Sequence, residues 1–339
     1  MKFERLQELL RDIQSVRIAV AGDFCLDAYW ILHPDGSEVS VETGLVAQAV
    51  QRHYYNPGGA GNIVANLVAL APRSIETIGV LGPDIFGTEL RRQLTALGVD
   101  CSSLVIQSEN FDTYTFAKRI LGGSEQPRID FGFLNRRTPQ TNDSIFKRIR
   151  SALMSADILI FNQQIPGSLD DDRFIDRLNS LFAEHPGRNV IFDSRHYGDR
   201  FTPILRKCNL REAACLNGED IPEDHPVPVS GVESYAHRLF DRSRRPVFIT
   251  LGSRGILVYD GKTSSHVPAI PLGNTPLDPV GAGDTTLSAL ALALAAGRSP
   301  SEAAEFAVLA AGVTVQKLYQ TGTANSEEIL ALARQYPSP

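Results

Sequence analysis

Residues 277–286 read Leu-Asp-Pro-Val-Gly-Ala-Gly-Asp-Thr-Thr and lead directly into a run of small and apolar residues, 287–296. Glycine has no Cβ, so Gly281 and Gly283 allow a sharp turn and a close approach of the backbone to a ligand. The unpaired N–H groups at the start of the following helix favour an anion, phosphate above all. The stretch therefore predicts an anion-binding turn that opens an α-helix.

Asp284 falls in the first turn of this predicted helix. A carboxylate at such a position often caps the helix, and capping is the simpler interpretation. Beside a phosphate-binding turn, the same carboxylate could instead take the proton from a hydroxyl that attacks the phosphorus. Local chemistry leaves both interpretations open.

The composition indicates a globular protein. The chain has 339 residues, of which 43% are hydrophobic and 21% charged, with a net charge of −6. The negative balance argues against a nucleic-acid partner, and the apolar runs are too short to cross a bilayer. The N-terminus lacks the apolar core of a signal peptide, and the four cysteines form no C-x-x-C pair. These features predict a cytoplasmic protein without membrane contact.

Short apolar runs alternate with amphipathic or alanine-rich segments along most of the chain. Strands that alternate with helices imply right-handed crossovers and a parallel sheet covered on both faces. We therefore predict one α/β domain over residues 1–339, with its ligands at the carboxyl edge of the sheet. The predicted strands are 17–23, 75–81, 158–161, 189–193 and 246–251, and the predicted helices are 63–71, 86–97, 145–154, 173–183, 285–296 and 301–317.

Two β-like segments, about 28–53 and 112–135, interrupt this alternation. The first contains predicted short strands at 28–30, 39–41 and 45–51. The second is predicted to form a hairpin that turns at Gly122-Gly123. Together the two segments predict a small second sheet.

Asp278-x-x-Gly281-Ala282-Gly283-Asp284, followed by a helix of small residues, resembles the hallmark of the ribokinase-like (PfkB) carbohydrate kinases. The resemblance implies a ribokinase-like three-layer α/β/α fold with a mainly parallel central sheet and a small β-sheet lid, through which such kinases often form homodimers. It implies that Asp284 is the catalytic base and that the amides of Gly281, Ala282 and Gly283 form an anion hole for the transferred phosphoryl group. Pro279 stands where many members have Thr, a change in the turn and not in the base.

The same resemblance extends from about Val16 to the C-terminus and assigns an acceptor site. Gly58-Gly59-x-x-Asn62 matches a second motif of the family, which lies against the sugar, although a glycine-rich helix start would look the same. Val64 replaces the third glycine of a dinucleotide fingerprint, so a dehydrogenase is disfavoured. Polar residues that follow predicted strands should lie at the same edge of the sheet, and a guanidinium there suits phosphate. The predicted acceptor-binding residues are Asp27, Gly58, Gly59, Asn62, Asn162 and Arg195.

Two further motifs predict the nucleotide site. Asn209-x-x-Glu212 is typical of a helix cap with a capping-box acid, whereas in the family it lies near magnesium and the nucleotide phosphates. The stretch 250–255, Thr-Leu-Gly-Ser-Arg-Gly, is similar to a family turn that contacts ATP phosphates, although an ordinary glycine hairpin would also fit. The resemblance implies ATP and Mg²⁺, with Glu212 reaching the metal through water, and a K⁺ ion held by main-chain oxygens near Asp278 and Val280. The predicted nucleotide-binding residues are Asn209, Glu212, Thr250, Gly252 and Gly255.

Within the family, residues 22–30, 37–42 and 310–318 resemble the heptose-phosphate kinases of the ADP-heptose pathway most closely. Val41 stands where those kinases tend to have Pro, and Asn162-Gln163 where they tend to have Ser-Asp. The acceptor is therefore predicted as a sugar or sugar phosphate, with a heptose phosphate among the options. A nucleoside kinase of the same fold and a non-catalytic nucleotide or sugar sensor are the alternatives.

Overall fold

The computed structural model describes residues 1–222, 227–273, 276–318 and 321–336. The strands in these ranges are β1 (Arg17–Gly22), β2 (Phe24–Leu32), β3 (Val50–Gly59), β4 (Ser74–Leu81), β5 (Leu104–Ile106), β6 (Thr115–Leu121), β7 (Ser124–Glu125), β8 (Ile129–Phe131), β9 (Ile158–Gln163), β10 (Asn189–Ser194), β11 (Leu205–Asn209), β12 (Val247–Thr250), β13 (Ile256–Tyr259) and β14 (Ser264–Val267). The helices are α1 (Phe3–Ile13), α2 (Ala60–Leu70), α3 (Ile85–Ala96), α4 (Pro139–Ser155), α5 (Asp172–Glu184), α6 (Leu210–Leu216), α7 (Val229–Ser243), α8 (Ala282–Ala295), α9 (Pro300–Thr314) and α10 (Ser326–Gln335).

The large sheet is mainly parallel, as predicted. Its strand order is β14-β13-β12-β11-β10-β9-β1-β4-β5, and only the β12–β13 and β13–β14 pairs are antiparallel. The first strand lies between β9 and β4, so its carboxyl end is flanked by other strands on both sides. Side chains that follow β1, β9, β10 and β11 are therefore brought to one edge.

Helices cover both faces of the large sheet. Ile18 and Val20 of β1 pack in one core with side chains of α1, α2, α8 and α9. Ala19 and Ala21, which alternate with them, pack in a second core with side chains of α4 and α5. Because successive strand residues point to opposite faces, this division defines the three-layer α/β/α architecture and confirms the prediction. No helix in the described ranges combines the length and apolar character needed to cross a bilayer.

A small sheet has the order β3-β2-β6-β7, with β8 paired to β6. The predicted segment 28–53 begins too late, because β2 starts at Phe24 and contains Asp27. Two of its predicted short strands were wrong: residues 33–49 contain a single bridge, Val39–Val46, and the next strand begins at Val50. The alternating side chains of Phe24, Leu26 and Ala28 are fully buried, which fixes the earlier start.

The third strand runs directly into α2, so this helix begins at Ala60 and not at residue 63. The Ala60 N–H donates to the Asp23 carbonyl at 3.0 Å, which satisfies one of the free donors of the helix start. Gly59 precedes it with φ of +53°. The motif glycines therefore belong to the junction between the small sheet and α2.

We predict that Gly255→Ala destabilises the fold much more than Gly252→Ala. Both glycines have positive φ, of 95° and 59°, so each alanine carries a backbone penalty of about 1 kcal/mol. Only at Gly255 would a Cβ overlap the Val267 carbonyl, whereas nothing lies within 4 Å of the Cβ position at Gly252. Overpacking should add about 1–3 kcal/mol at Gly255. Urea unfolding of both variants measures the difference, and equal losses of stability would contradict it.

Candidate active site

The turn before α8 fixes where Asp284 lies. Gly281 is the N-cap residue with φ of +81°, and a Cβ there would lie 2.8 Å from the Thr321 methyl carbon. The Val280 N–H donates to Asp278 Oδ1 at 3.0 Å and closes the turn. This geometry places Asp284 in the first turn of the helix, as predicted.

Asp284 does not cap α8, because no side chain caps the start of that helix. Its Oδ2 instead accepts a hydrogen bond of 2.6 Å from Asn62 Nδ2 of α2. Asn62 is only 4% exposed, so its amide has little freedom to move. A second contact, from Thr285 Oγ1 to Asn66 Oδ1 at 2.7 Å, joins the same two helices. Together these contacts orient the Asp284 carboxylate.

The pKa of Asp284 is raised to about 6, mainly because the surrounding protein excludes water from its carboxylate. The hydrogen bond from Asn62 lowers the pKa, Asp193 raises it, and the charges of Lys207 and Arg195 lower it. A carboxylate with this pKa is ionised at neutral pH but is a stronger base than an ordinary aspartate.

A buried ion pair lies next to the glycine turn. Lys207 Nζ is 2.9 Å from Asp193 Oδ2, and less than a tenth of either side chain is exposed. Burial alone lowers the pKa of Lys207, but Asp193 and Glu212 raise it above its ordinary value, so the ammonium stays charged. Its Nζ lies 3.5 Å from the Cβ position of Gly283. A fixed positive charge therefore adjoins the amides of the turn.

Asn209 and Glu212 form a capping box at the start of α6, which confirms the simpler interpretation. Asn209 Oδ1 accepts from the Glu212 N–H, and Glu212 Oε2 accepts from the Asn209 N–H, each at 2.8 Å. Burial and the nearby Asp193 raise the pKa of Glu212, whereas Lys207 lowers it. Asn209 is paired with Thr250 across β11 and β12, so the two nucleotide motifs lie side by side.

The stretch from Thr250 to Gly255 runs from the last residue of β12 through a 3₁₀ turn, Gly252–Arg254, to the start of β13. Thr250 is half-buried and its Oγ1 donates to the Cys208 carbonyl at 3.4 Å. Gly252 is exposed, whereas Gly255 is buried. Thr250 and Gly252 are therefore accessible to a ligand, whereas Gly255 allows the backbone conformation of the turn.

Four predicted acceptor-binding residues lie where β2, β3 and α2 meet, and one of them, Asn62, contacts Asp284. Asp27 Oδ2 lies 3.1 Å from the Cβ position of Gly58, so only glycine leaves the carboxylate uncrowded. Gly59 follows as the N-cap of α2, and Asn62 lies two residues into that helix. The link to Asp284 is the hydrogen bond from Asn62.

Asn162 is paired with Gly22, the last residue of β1, and with Asp193 of β10. Its side chain is fully buried, and its role in acceptor binding stays a prediction. It lines a small cavity of about 20 Å³ together with Asp23 and Arg137. That volume suits one water molecule. Arg195, in contrast, is exposed at the predicted edge, and its charge lowers the pKa of Asp284.

Sequence reasoning missed two lysines. Lys207 is an interior residue of β11, and a lysine is rarely buried unless it is paired, but its neighbour Arg206 and the closing Asn209 made this strand look polar in the sequence. Lys118 Nζ lies 3.2 Å from Asp27 Oδ1. Nothing in the sequence around Lys118 indicated a partner for it. Its contact with Asp27 depends on the register between β2 and β6.

The residues present fit a magnesium ion held mainly by phosphate and water oxygens. The described ranges contain no group of three or more His, Cys, Asp or Glu side chains that could hold a metal ion alone. Mg²⁺ usually keeps several waters and uses one or two carboxylates. Glu212 provides such a carboxylate, and a cation there would offset the repulsion from Asp193 that raises its pKa.

A family model described as pfkB family carbohydrate kinase matches residues 28–328. The chain belongs to this family. It is 30% identical over 335 residues to the bifunctional protein HldE of Caulobacter sp. strain K31, covering 97% of this chain and 65% of that protein. It is 29% identical over 316 residues to HldE of Coxiella burnetii, covering 90% and 61%. The chain thus spans less than two thirds of the length of these relatives.

Solved structures confirm the ribokinase-like fold of this carbohydrate kinase. Phosphofructokinase-2 from Escherichia coli in complex with potassium superposes with a TM-score of 0.71 at 19% identity, covering 94% of this chain and 99% of that chain. Arabidopsis thaliana ribokinase, complexed with ribose and ATP, gives 0.68 at 20% identity, covering 94% and 98%.

We predict that the free energy of unfolding of Asp284→Asn rises relative to that of the wild type as the pH rises. The folded-state pKa of about 6 exceeds the unfolded value of 3.8, so the stability that Asp284 contributes when protonated is lost as the pH rises through 6. Asparagine does not titrate. Between about pH 5 and about pH 7.5, the stability of the variant relative to the wild type should rise by about 1–2 kcal/mol in urea unfolding. A difference that is independent of pH would show that the carboxylate is not desolvated.

Proposed function

We propose that this chain transfers the γ-phosphoryl group of ATP to a hydroxyl of a sugar or sugar phosphate. The observation that carries the proposal is the Asp284 carboxylate, which lies at the start of α8 beside the glycine turn and is oriented by the 2.6 Å hydrogen bond from Asn62. Membership of a carbohydrate kinase family supports a sugar as the acceptor.

Asp284 acts as the general base. It takes the proton from the acceptor hydroxyl while the hydroxyl oxygen bonds to the γ-phosphorus and the bond from that phosphorus to the β–γ bridging oxygen breaks, which releases ADP. Because Oδ2 accepts the hydrogen bond from Asn62, Oδ1 is the oxygen that receives the proton.

The glycine turn provides the anion hole. The amides of Gly281, Ala282 and Gly283 bind the oxygens of the transferred phosphoryl group, with the positive end of the α8 dipole behind them. The Ala282 N–H donates to the Pro279 carbonyl at 3.1 Å, so the Gly281 and Gly283 amides provide most of the anion hole. Lys207 adds a full positive charge next to Gly283.

The nucleotide lies along the ends of β11 and β12. Thr250, Gly252 and Asn209 bind its phosphates, Gly255 shapes the turn, and Glu212 faces Mg²⁺ through water. When bound, Mg²⁺ neutralises charge on the ATP phosphates. We further propose that main-chain oxygens near Asp278 and Val280 hold a K⁺ ion; the turn between them is closed by their own hydrogen bond.

The acceptor lies between the small sheet and the start of α2. Asp27, Gly58, Gly59 and Asn62 orient it, and Arg195 offers a guanidinium for an anionic group. The resemblance to heptose-phosphate kinases favours a heptose phosphate among sugar phosphates. We also propose a cytoplasmic homodimer that pairs through the small sheet. The free state of all four cysteines fits that reducing compartment.

Two alternatives remain open to experiment. A nucleoside kinase would keep the same base and anion hole and differ only in the acceptor. A non-catalytic sensor would bind nucleotide or sugar without releasing ADP. The oriented carboxylate of Asp284 favours catalysis, because a sensor does not need a base beside the phosphates.

We predict that Asp284→Asn lowers turnover by about 10²-fold or more, the scale of general-base catalysis, while the Kd for ATP changes little. ADP release with ATP, Mg²⁺ and K⁺ across sugars, sugar phosphates and nucleosides measures both the activity and the acceptor class. Turnover with nucleosides alone would replace the acceptor assignment. A variant with near-normal turnover would remove Asp284 from the mechanism.

We predict that Lys207→Met lowers turnover by about 10- to 100-fold and moves the acidic limb of the pH–rate profile to higher pH. The reason is that Lys207 lowers the pKa of Asp284 and adjoins the anion hole. The control is Lys207→Met combined with Asp193→Asn, which removes both charges and avoids an unpaired buried carboxylate. If the single and double variants both turn over at the wild-type rate, the charge of Lys207 has no part in catalysis.

A further inference from the structure

Lys118 and Gly58 bracket the Asp27 carboxylate. Lys118 Nζ lies 3.2 Å from Oδ1, and the Cβ position of Gly58 lies 3.1 Å from Oδ2. The side chains of Asp27 and Lys118 are 15% and 18% exposed, so the pair is mostly shielded from solvent. One carboxylate oxygen is therefore paired with a cation, and the other faces the glycine where no side chain competes for it.

A pair of tyrosines holds Lys118 in place. Its Nζ is 3.1 Å from the Tyr29 hydroxyl oxygen and 4.8 Å from the centroid of that ring. Tyr29 stacks on Tyr54 with centroids 4.7 Å apart and an interplanar angle of 5°. Tyr54, Tyr29 and Lys118 are directly opposite one another on β3, β2 and β6 and so share one face of the small sheet. This arrangement leaves the lysine side chain few alternative positions.

The ammonium is charged in this setting. Burial alone lowers the pKa of Lys118, but Asp27 and Tyr29 raise it above the ordinary value of a lysine. A charge-assisted hydrogen bond to one oxygen of a carboxylate fixes its orientation more firmly than a neutral donor does. Asp27 lies in a strand rather than in a loop, so its backbone is fixed as well.

We propose that Lys118 is a positioning residue for the acceptor site: it holds Oδ1 of Asp27 so that Oδ2 is presented, beside Gly58, to a single hydroxyl of the acceptor. The inference rests on the proposed role of Asp27 in binding the acceptor. It assigns Lys118 no contact with ATP and no part in proton transfer.

The test compares Lys118→Met, Lys118→Arg and Arg119→Met by steady-state kinetics. Arg119 is the matched control: it is the next residue of β6, points to the other face and bonds to Gln48 and the Pro127 carbonyl. Lys118→Met should raise the KM for the acceptor about tenfold or more, the scale of a hydrogen bond to a charged group, with the KM for ATP unchanged. Lys118→Arg should recover part of the loss, and Arg119→Met should behave as the wild type.

A double-mutant cycle with Asp27→Asn separates positioning from general destabilisation. Once the carboxylate is gone, Lys118→Met should raise the acceptor KM less than twofold further, because its effect acts through Asp27. Additive effects of the two changes would overturn the proposal. So would an acceptor KM in Lys118→Met that equals that of Arg119→Met.

Crystal structures of the wild type and Lys118→Met test the same point without turnover. The Asp27 carboxylate should keep its contact with Lys118 in the wild type and adopt another orientation in the variant. An unchanged carboxylate would overturn the positioning role even if the wild type proves to be a kinase. A wild type that transfers no phosphate to any acceptor, but shows this reorientation, would refute the proposed function and leave the positioning of Asp27 standing.

Discussion

The hydrogen bond from Asn62 to Asp284 is the contact on which the site depends. It joins residues 222 positions apart in sequence and ties the end of the small sheet to the start of α8. Asn62 lies just after the glycines that end β3. The segment from Gly58 to Asn62 therefore both packs against Asp27 and orients the carboxylate of Asp284. A shift of α2 would separate the base from the acceptor and from the glycine turn together.

The same edge of the sheet also concentrates charge. Asp193 and Lys207 lie on the neighbouring strands β10 and β11, and the charges of this buried pair act on both Asp284 and Glu212. The charge of Lys207 lowers the pKa of both Asp284 and Glu212 and so opposes the effect of burial, which raises both pKa values. The outcome is a positively charged turn beside a base of pKa about 6, which is the electrostatic arrangement that phosphoryl transfer requires.

Local pattern was enough to predict the layers of the fold, since the apolar runs at β1 and β9 indicated buried strands that alternate with helices. The turn at Gly281 and the position of Asp284 also follow from local chemistry. Contacts between distant segments could not be predicted from the sequence, because they depend on the register between paired strands. Lys118 contacts Asp27 only because β6 pairs with β2 in one particular register. The complete burial of Asn162 could not be predicted for a related reason, since it depends on how β9 packs between its neighbouring strands and helices.

The central claim is that the acceptor hydroxyl, the Asp284 carboxylate and the glycine turn meet at one point. A crystal structure with a non-hydrolysable ATP analogue, Mg²⁺ and the best acceptor tests it most directly. The account predicts an acceptor hydroxyl within hydrogen-bond distance of Asp284 Oδ1 and the γ-phosphate against the amides of Gly281 and Gly283. An acceptor bound away from Asp284, or a γ-phosphate that does not reach the turn, would contradict it.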